Sequence, residues 1–140
     1  MRAARKIHFC SGHRVLNHES KCANAHGHNY TLWIHAEAKE LDSIGRVIDF
    51  SVLKEKAGKW IDDNWDHTFL INEADVELLS AKDLLQKNKP VFICSFNPTA
   101  EEMAKYLIDT VFPDLFAEDK IKITKVVLYE TENCFVELER

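Results

Sequence analysis

Glycine and proline are scarce in this chain, and no long apolar run interrupts it. Its 140 residues include 4 glycines and 3 prolines, and no repeat, low-complexity segment or shift in composition marks a linker. We therefore expect one domain over residues 1–140, long enough to bury an ordinary core. The N-terminal segment from Met1 to Arg14 lacks the apolar stretch of a signal peptide, and no segment is long enough to predict a membrane-spanning helix.

Closely spaced cysteine pairs are also missing. The four cysteines, at positions 10, 22, 94 and 134, form no C-x-x-C pair. Their spacing argues against a redox motif and against a ribbon-type zinc site. We expect free thiols, which suit a reducing cytoplasm.

Basic residues are outnumbered by acidic ones. The chain has 18 Lys and Arg against 23 Asp and Glu, for a net charge of −5 at pH 7. This balance argues against a nucleic-acid binder, whose affinity comes largely from a basic surface that neutralises phosphates. A small anionic substrate is still compatible, because a few local Lys or Arg residues can make a pocket positive inside an acidic protein.

Alternation of apolar and polar residues predicts four strands. The first lies around Ile7 and Phe9, the second over residues 30–36, and the last two over residues 121–130 and 134–138. A long polar loop rich in histidine separates the first two. Loops of that length inside a small domain are usually functional.

Two helices are expected between the strand pairs. Residues 51–64 carry apolar side chains at helical spacing, namely Leu53, Ala57, Trp60 and Ile61. A second helix is predicted to begin at Thr99, which has capping-box spacing to Glu102, with Pro113 as the stop signal.

The resulting order, ββααββ, predicts an α+β domain. Strands that follow one another directly at both ends of the chain favour an antiparallel four-stranded sheet with two helices on one face. Such a sheet has two edges, and the apolar strand over residues 121–129 makes an exposed edge costly. We therefore expect pairing with other subunits in a homo-oligomer.

The strongest local signal is His26-Gly27-His28 at the start of the second strand. Side chains at i and i+2 of a strand point to the same face, so the two imidazoles converge. His13 on the preceding segment can supply a third nitrogen, and three neutral histidines with one open position are typical of catalytic zinc. An isolated H-G-H is more often an accidental loop pair, but the proximity of His13 and Cys22 favours a metal site.

Cys22 stands four residues before His26 and allows three interpretations. It is a fourth ligand of a closed structural zinc site, a buried inert thiol, or a base beside the metal. A nearby cation favours the thiolate, which can then abstract a proton near neutral pH. The local spacing does not separate ligand from base.

Six short motifs follow one another along nearly the whole chain. They are F-C-S-G-H (9–13), C-x-x-x-H-G-H-N-Y (22–30), V-I-D-F (47–50), W-D-H-T-F-L (65–70), N-P-T-A-E (97–101) and Y-E-T (129–131). In this order they resemble the motifs of the 6-carboxy-tetrahydropterin synthase and 6-pyruvoyl-tetrahydropterin synthase family. The resemblance implies the family's tunnelling fold, the T-fold, which has the same element order.

The resemblance also implies a role for individual residues. Zn²⁺ would be bound by His13, His26 and His28. Cys22 would act as the proton-abstracting base, and Asp66 with His67 would form a second proton-transfer pair. Glu130 would anchor the amino and ring N–H groups of a pterin, whose floor would be formed near Thr99 and Glu101.

The reaction implied by the family uses 7,8-dihydroneopterin triphosphate and no nicotinamide cofactor. The carboxy branch makes 6-carboxy-5,6,7,8-tetrahydropterin for queuosine and other 7-deazapurines and releases triphosphate and acetaldehyde. The pyruvoyl branch, used for biopterin, eliminates triphosphate and keeps all three side-chain carbons. The three residues between Cys22 and His26 resemble the spacing of carboxy synthases and favour that branch.

Two alternative functions are compatible with these residues, and the resemblance also implies an oligomeric state. The alternatives are the pyruvoyl synthase and a non-enzymatic module in which Cys22 and three histidines close a structural zinc tetrahedron. The resemblance implies a homohexamer, arranged as a dimer of trimers, with active sites between subunits. The other cysteines are expected to be small apolar fillers; of these, Cys10 is the one expected near the metal, since it stands inside the first motif where a small residue is expected.

Overall fold

The computed structural model describes residues 1–140 and contains one six-stranded sheet. Its strands are β1 (Arg2–His13), β2 (His26–Ala38), β3 (Thr68–Asn72), β4 (Phe92–Cys94), β5 (Ile121–Tyr129) and β6 (Phe135–Glu139). Their order across the sheet is β4-β3-β1-β2-β5-β6. The four predicted strands are therefore β1, β2, β5 and β6, and they pair antiparallel in that order.

The short strands β3 and β4 were not predicted. β3 pairs parallel with the last three residues of β1, and β4 pairs parallel with β3. They make the sheet mixed, within the α+β class that was expected. Runs of three to five residues carry little periodicity, so their strand character depends on this tertiary pairing.

Helical segments connect the strands. They are α1 (Phe50–Leu53), α2 (Lys59–Asn64), α3 (Val76–Ser80), α4 (Lys82–Leu85), α5 (Ala100–Tyr106) and α6 (Phe112–Leu115). A π-helical turn, Lys54–Gly58, joins α1 to α2, and another, Leu107–Val111, joins α5 to α6. The predicted helix over residues 51–64 and the predicted start at Thr99 are confirmed. Pro113 does not end the second helix, since the chain stays helical to Leu115; the π-helical turn Leu107–Val111 directly precedes the α6 segment that contains Pro113.

One face of the sheet carries the core. Leu32 and Ile34 of β2 are fully buried in one cluster with side chains from both helical segments. Leu53 and Ile61 come from the segment α1–α2, and Leu107 comes from the segment α5–α6. Both helical segments therefore cover the same face, as expected. Each such aliphatic side chain contributes about 1.5–3 kcal/mol by leaving water.

The loop between β1 and β2 is held down at several points. The Asn97 side chain donates to Leu16 O at 3.0 Å and accepts from Leu16 N at 2.9 Å. Val15 N donates to Cys22 O at 2.8 Å, and Arg14 pairs with the buried Asp75. The segment that carries Cys22 is therefore ordered by the surrounding fold.

No helix in the chain has the length and apolar character needed to cross a membrane.

Candidate active site and metal centre

Strand register brings three histidines together. His13 lies directly opposite His26 in the β1–β2 ladder, and His28 lies two residues further along β2 on the same face. The ring centroids are 4.7 Å apart for His13 and His26, 5.1 Å for His13 and His28, and 4.8 Å for His26 and His28. The structure thus assembles the predicted trio from local strand geometry.

Main-chain carbonyls orient two of these rings. His13 Nδ1 lies 2.6 Å from Pro98 O, and His26 Nδ1 lies 2.6 Å from Asn24 O. Because a carbonyl oxygen can only accept, each Nδ1 carries the hydrogen and each Nε2 carries a lone pair. The two Nε2 atoms face each other at 3.2 Å, and the buried Nε2 of His28 has no hydrogen-bond partner.

This donor set fits Zn²⁺. Burial lowers the pKa of His13 to about 4 and also lowers that of His28, so both rings are neutral, the form that binds metal. Zn–N bonds of about 2.0–2.1 Å in a tetrahedron place two nitrogens roughly 3.3 Å apart. The spacing of 3.2 Å between His13 and His26 is close to that value.

Two glycines let the strands at this site approach closely. A Cβ atom on Gly12 would lie 2.5 Å from the Phe69 ring, and one on Gly27 would lie 3.3 Å from Ser11 O. At Gly12, therefore, the Phe69 ring occupies the space of a side chain. Both positions alternate with the histidines and lie on the opposite face of the sheet.

A cavity of about 340 Å³ next to the trio contains four of the predicted residues. Its wall includes Cys22, Thr99, Glu101 and Glu130. Glu130 Oε1 lies 3.6 Å from His28 Nε2, which connects the cavity to the histidines. Cys22 is not part of the group of ligand atoms that lie within 4.8 Å of one another at the trio.

The Asp66–His67 pair lies outside that cavity, and His67 lines a separate groove that also includes His26 and His28. Asp66 Oδ2 accepts from His67 Nδ1 at 2.9 Å, and although burial opposes it, hydrogen bonds from Cys10 N and His67 hold the Asp66 pKa below its ordinary value. The pair contacts the Cys10 side chain, which points away from the His13 face because the two positions are three apart on one strand. Within one chain, Asp66 and His67 do not line the Cys22 cavity.

Cys10 does not join the histidine trio as a ligand. Its side chain is on the face opposite the histidine trio. Sequence reasoning also did not find the carbonyl groups of Asn24 and Pro98, since main-chain acceptors leave no residue-type signal. Lys89 was likewise not predicted; its Nζ donates to Asp66 O at 2.8 Å and so supports the Asp66–His67 segment.

Comparison with known proteins decides the family. The family model described as 6-pyruvoyl tetrahydropterin synthase matches residues 2–140. The chain belongs to this family. A Rickettsia bellii protein named 6-carboxy-5,6,7,8-tetrahydropterin synthase is 39% identical over 138 residues, with 99% of each chain covered. A Haemophilus influenzae protein of the same name is 32% identical over 140 residues, covering 97% of this chain and 96% of the relative.

Solved structures agree on the fold. An uncharacterized protein of Wolinella succinogenes superposes with a TM-score of 0.82 at 22% identity, over 100% of this chain and 98% of the other. A Plasmodium vivax 6-pyruvoyltetrahydropterin synthase superposes with a TM-score of 0.67 at 17% identity over the same shares. The T-fold expected from the motifs is confirmed. As a member of the pterin synthase family with these relatives, the chain is an enzyme of the lyase class.

Proposed function

We propose that residues 1–140 act as one pterin-synthase domain that converts 7,8-dihydroneopterin triphosphate into 6-carboxy-5,6,7,8-tetrahydropterin. Triphosphate and acetaldehyde are released, and the product serves queuosine and other 7-deazapurine synthesis. The observation that carries the proposal is the histidine trio beside a cavity lined by Cys22 and Glu130. The names of the curated relatives support the carboxy branch.

His13, His26 and His28 hold Zn²⁺ in this proposal. The neutral rings of His13 and His28 and the fixed tautomers of His13 and His26 suit that ion. When bound, Zn²⁺ supplies Lewis-acid polarisation of the oxygens of the substrate side chain. Cys22, outside the ligand cluster, is free for a different task.

Cys22 is the base that takes the proton from the substrate's side-chain carbon. Its thiol lines the cavity, and a cation at the trio favours its thiolate form. A reducing cytoplasm, where we place the enzyme, keeps this thiol free. The proton moves from the substrate's side-chain carbon to Cys22 Sγ. A second group is then needed to transfer a proton at the pterin ring of the substrate.

Glu130 recognises the pterin. Its carboxylate accepts two hydrogen bonds side by side from the amino and ring N–H groups of an aminopyrimidine edge. Thr99 Oγ1 accepts from Glu102 N at 3.3 Å as the cap of α5, which leaves its hydroxyl hydrogen for a ligand in the cavity. Glu101 supplies the other acidic group of that wall.

The second proton-transfer group comes from a neighbouring subunit. Asp66 and His67 form a hydrogen-bonded pair but do not line the Cys22 cavity of their own chain. In a homohexamer built as a dimer of trimers, this pair completes the cavity of another subunit. Exposed apolar residues on both edge strands, Ile93 of β4 and Phe135 of β6, support association through the sheet edges.

Two other functions compete with this proposal. The family model's description favours a pyruvoyl synthase, which eliminates triphosphate without cleaving the side chain. A structural zinc module would need Cys22 as a fourth ligand, and the position of Cys22 outside the ligand cluster counts against it.

Incubation with dihydroneopterin triphosphate followed by product identification separates these functions. The proposal predicts that acetaldehyde appears in step with triphosphate and that 6-carboxy-5,6,7,8-tetrahydropterin accumulates. Triphosphate release with a pyruvoyl pterin and no acetaldehyde would establish the alternative branch. A zinc-loaded oligomer that leaves the substrate unchanged would favour the structural module.

A further inference from the structure

A second cluster of metal-binding side chains lies on the face of the sheet opposite the histidine trio. Its members are Cys10 of β1 and the pair Asp66 and His67 that precedes β3, and one ligand atom from each lies within 4.8 Å of the others. Cys10 Sγ is 3.6 Å from His67 Nε2 and 3.8 Å from Asp66 Oδ1. The proposed reaction uses Asp66 and His67 but gives no role to Cys10.

Main-chain hydrogen bonds hold the three residues in place. Cys10 N donates to Asp66 Oδ1 at 2.9 Å, and His67 N donates to Cys10 O at 2.7 Å. His67 has a φ of 52°, in the left-handed region that non-glycine residues rarely adopt. The backbone therefore keeps His67 beside Cys10, and only the His67 side chain has to reorient to bind an ion together with Cys10.

The distances suit a tetrahedral ion. Zn–S of about 2.3 Å and Zn–N or Zn–O of about 2.0–2.2 Å imply sulfur–nitrogen and sulfur–oxygen separations of roughly 3.6 Å. The observed separations from Cys10 Sγ are 3.6 Å and 3.8 Å. Because His67 Nδ1 donates to Asp66 Oδ2, the lone pair of the ring is on Nε2. Cys10 Sγ lies 3.6 Å from both ring nitrogens, so the exposed ring turns to direct Nε2 at an ion shared with Cys10.

We propose that Cys10, Asp66 and His67 form a second site for Zn²⁺ or another thiophilic divalent ion. A thiolate, an imidazole and a carboxylate are a zinc-type donor set. The His67 side chain is 77% exposed in the single chain and lines a groove of about 330 Å³. In the proposed assembly this groove faces the cavity of a neighbouring subunit, so the ion enters by the same route as the substrate and a water completes its coordination. An ion bound at this site occupies the His67 lone pair, so His67 can no longer transfer a proton and turnover is inhibited. This consequence rests on the proposed function.

Cobalt spectroscopy tests the site without any activity measurement. Protein carrying one zinc per chain is titrated with Co²⁺, and the intense sulfur-to-cobalt band is recorded together with metal content. We expect the band and a second metal equivalent in wild type and in Cys22→Ala, and neither in Cys10→Ser. Cys134→Ser is the matched control, because it removes an exposed thiol and is expected to behave as wild type.

His67→Asn provides a second variant. Asparagine tolerates a left-handed backbone, so the fold is kept while the imidazole is removed, and the affinity for the second Co²⁺ is expected to fall at least about 100-fold. A sulfur-to-cobalt band that persists in Cys10→Ser, or a wild type that binds no second equivalent, would overturn the site.

Inhibition is measured separately. Excess Zn²⁺ is expected to slow wild type while leaving Cys10→Ser at its own basal rate. Equal inhibition of both proteins would overturn the inhibitory role, even with the band lost in Cys10→Ser. An inactive wild type that still shows the cobalt band would contradict the proposed function and support the metal site.

Discussion

His13 Nε2 and His26 Nε2 face each other at 3.2 Å, while each ring donates its Nδ1 hydrogen to a main-chain carbonyl. Two lone pairs at that distance repel unless a proton or a metal ion lies between them. Burial lowers the pKa of His13 to about 4, which disfavours the proton near neutral pH. The contact is therefore best explained by a site built for a metal ion.

Replacing His26 with Ala tests the metal ligands. One of three nitrogen ligands is lost, so zinc affinity is expected to fall by more than the roughly 10–100-fold effect of removing an outer-shell partner. Metal analysis after dialysis measures the loss. His8→Ala is the control, because His8 is exposed on β1 and makes no contact with the trio. Full zinc content in His26→Ala would refute the ligand assignment.

Replacing Cys22 with Ala separates base from ligand. The variant is expected to keep its zinc and its fold but to lose turnover by about 10²–10⁴-fold, the usual contribution of a proton-transfer group. Cys134→Ala removes another thiol that lines the same cavity and is expected to retain most activity. Loss of zinc together with the Cys22 thiol would show that Cys22 is a ligand.

Mixed oligomers test whether the active site is shared. Cys22→Ala and His67→Asn are each expected to be inactive alone, because each removes one proton-transfer group. If the groups come from different subunits, random co-assembly of equal amounts restores about a quarter of the sites. Activity after co-refolding, with light scattering to check the hexamer, measures this. An active monomer, or mixtures without recovered activity, would argue against sites between subunits.

Asp75 is expected to make stability depend on pH. Arg14 donates two hydrogen bonds to its carboxylate, which is 2% exposed, and holds its pKa below the ordinary value. A lowered folded-state pKa stabilises the fold above the unfolded pKa, and this contribution is lost as pH falls through the folded value. Asp75→Asn is therefore expected to lose up to about 3–5 kcal/mol at neutral pH, with the gap narrowing below about pH 4.

Urea denaturation of wild type and Asp75→Asn across this pH range measures the difference. Asp63→Asn is the control, since the Asp63 carboxylate pairs with Lys59 at the exposed surface, where ion pairs contribute little. A stability difference between wild type and Asp75→Asn that is the same at pH 7 and at pH 3 would show that the ionised carboxylate is not the cause.

Local patterns in the sequence determined much of this protein. Alternation placed His26 and His28 on one face of a strand, and helical spacing predicted the segment over residues 51–64, because both depend on neighbours a few positions apart. Six motifs in order predicted the family. None of these inferences depends on contacts between segments that are distant in the sequence.

Only the tertiary structure decided which distant groups meet. The carbonyls that orient His13 and His26 come from Pro98 and Asn24, and every residue type has such a carbonyl, so composition cannot mark them. The separation of Asp66 and His67 from the Cys22 cavity, and their contact with Cys10, depend on β3 pairing with the end of β1. Pairing between segments 57 residues apart, as for Ser11 and Thr68, is set by the packing of the whole chain, and local periodicity does not encode it.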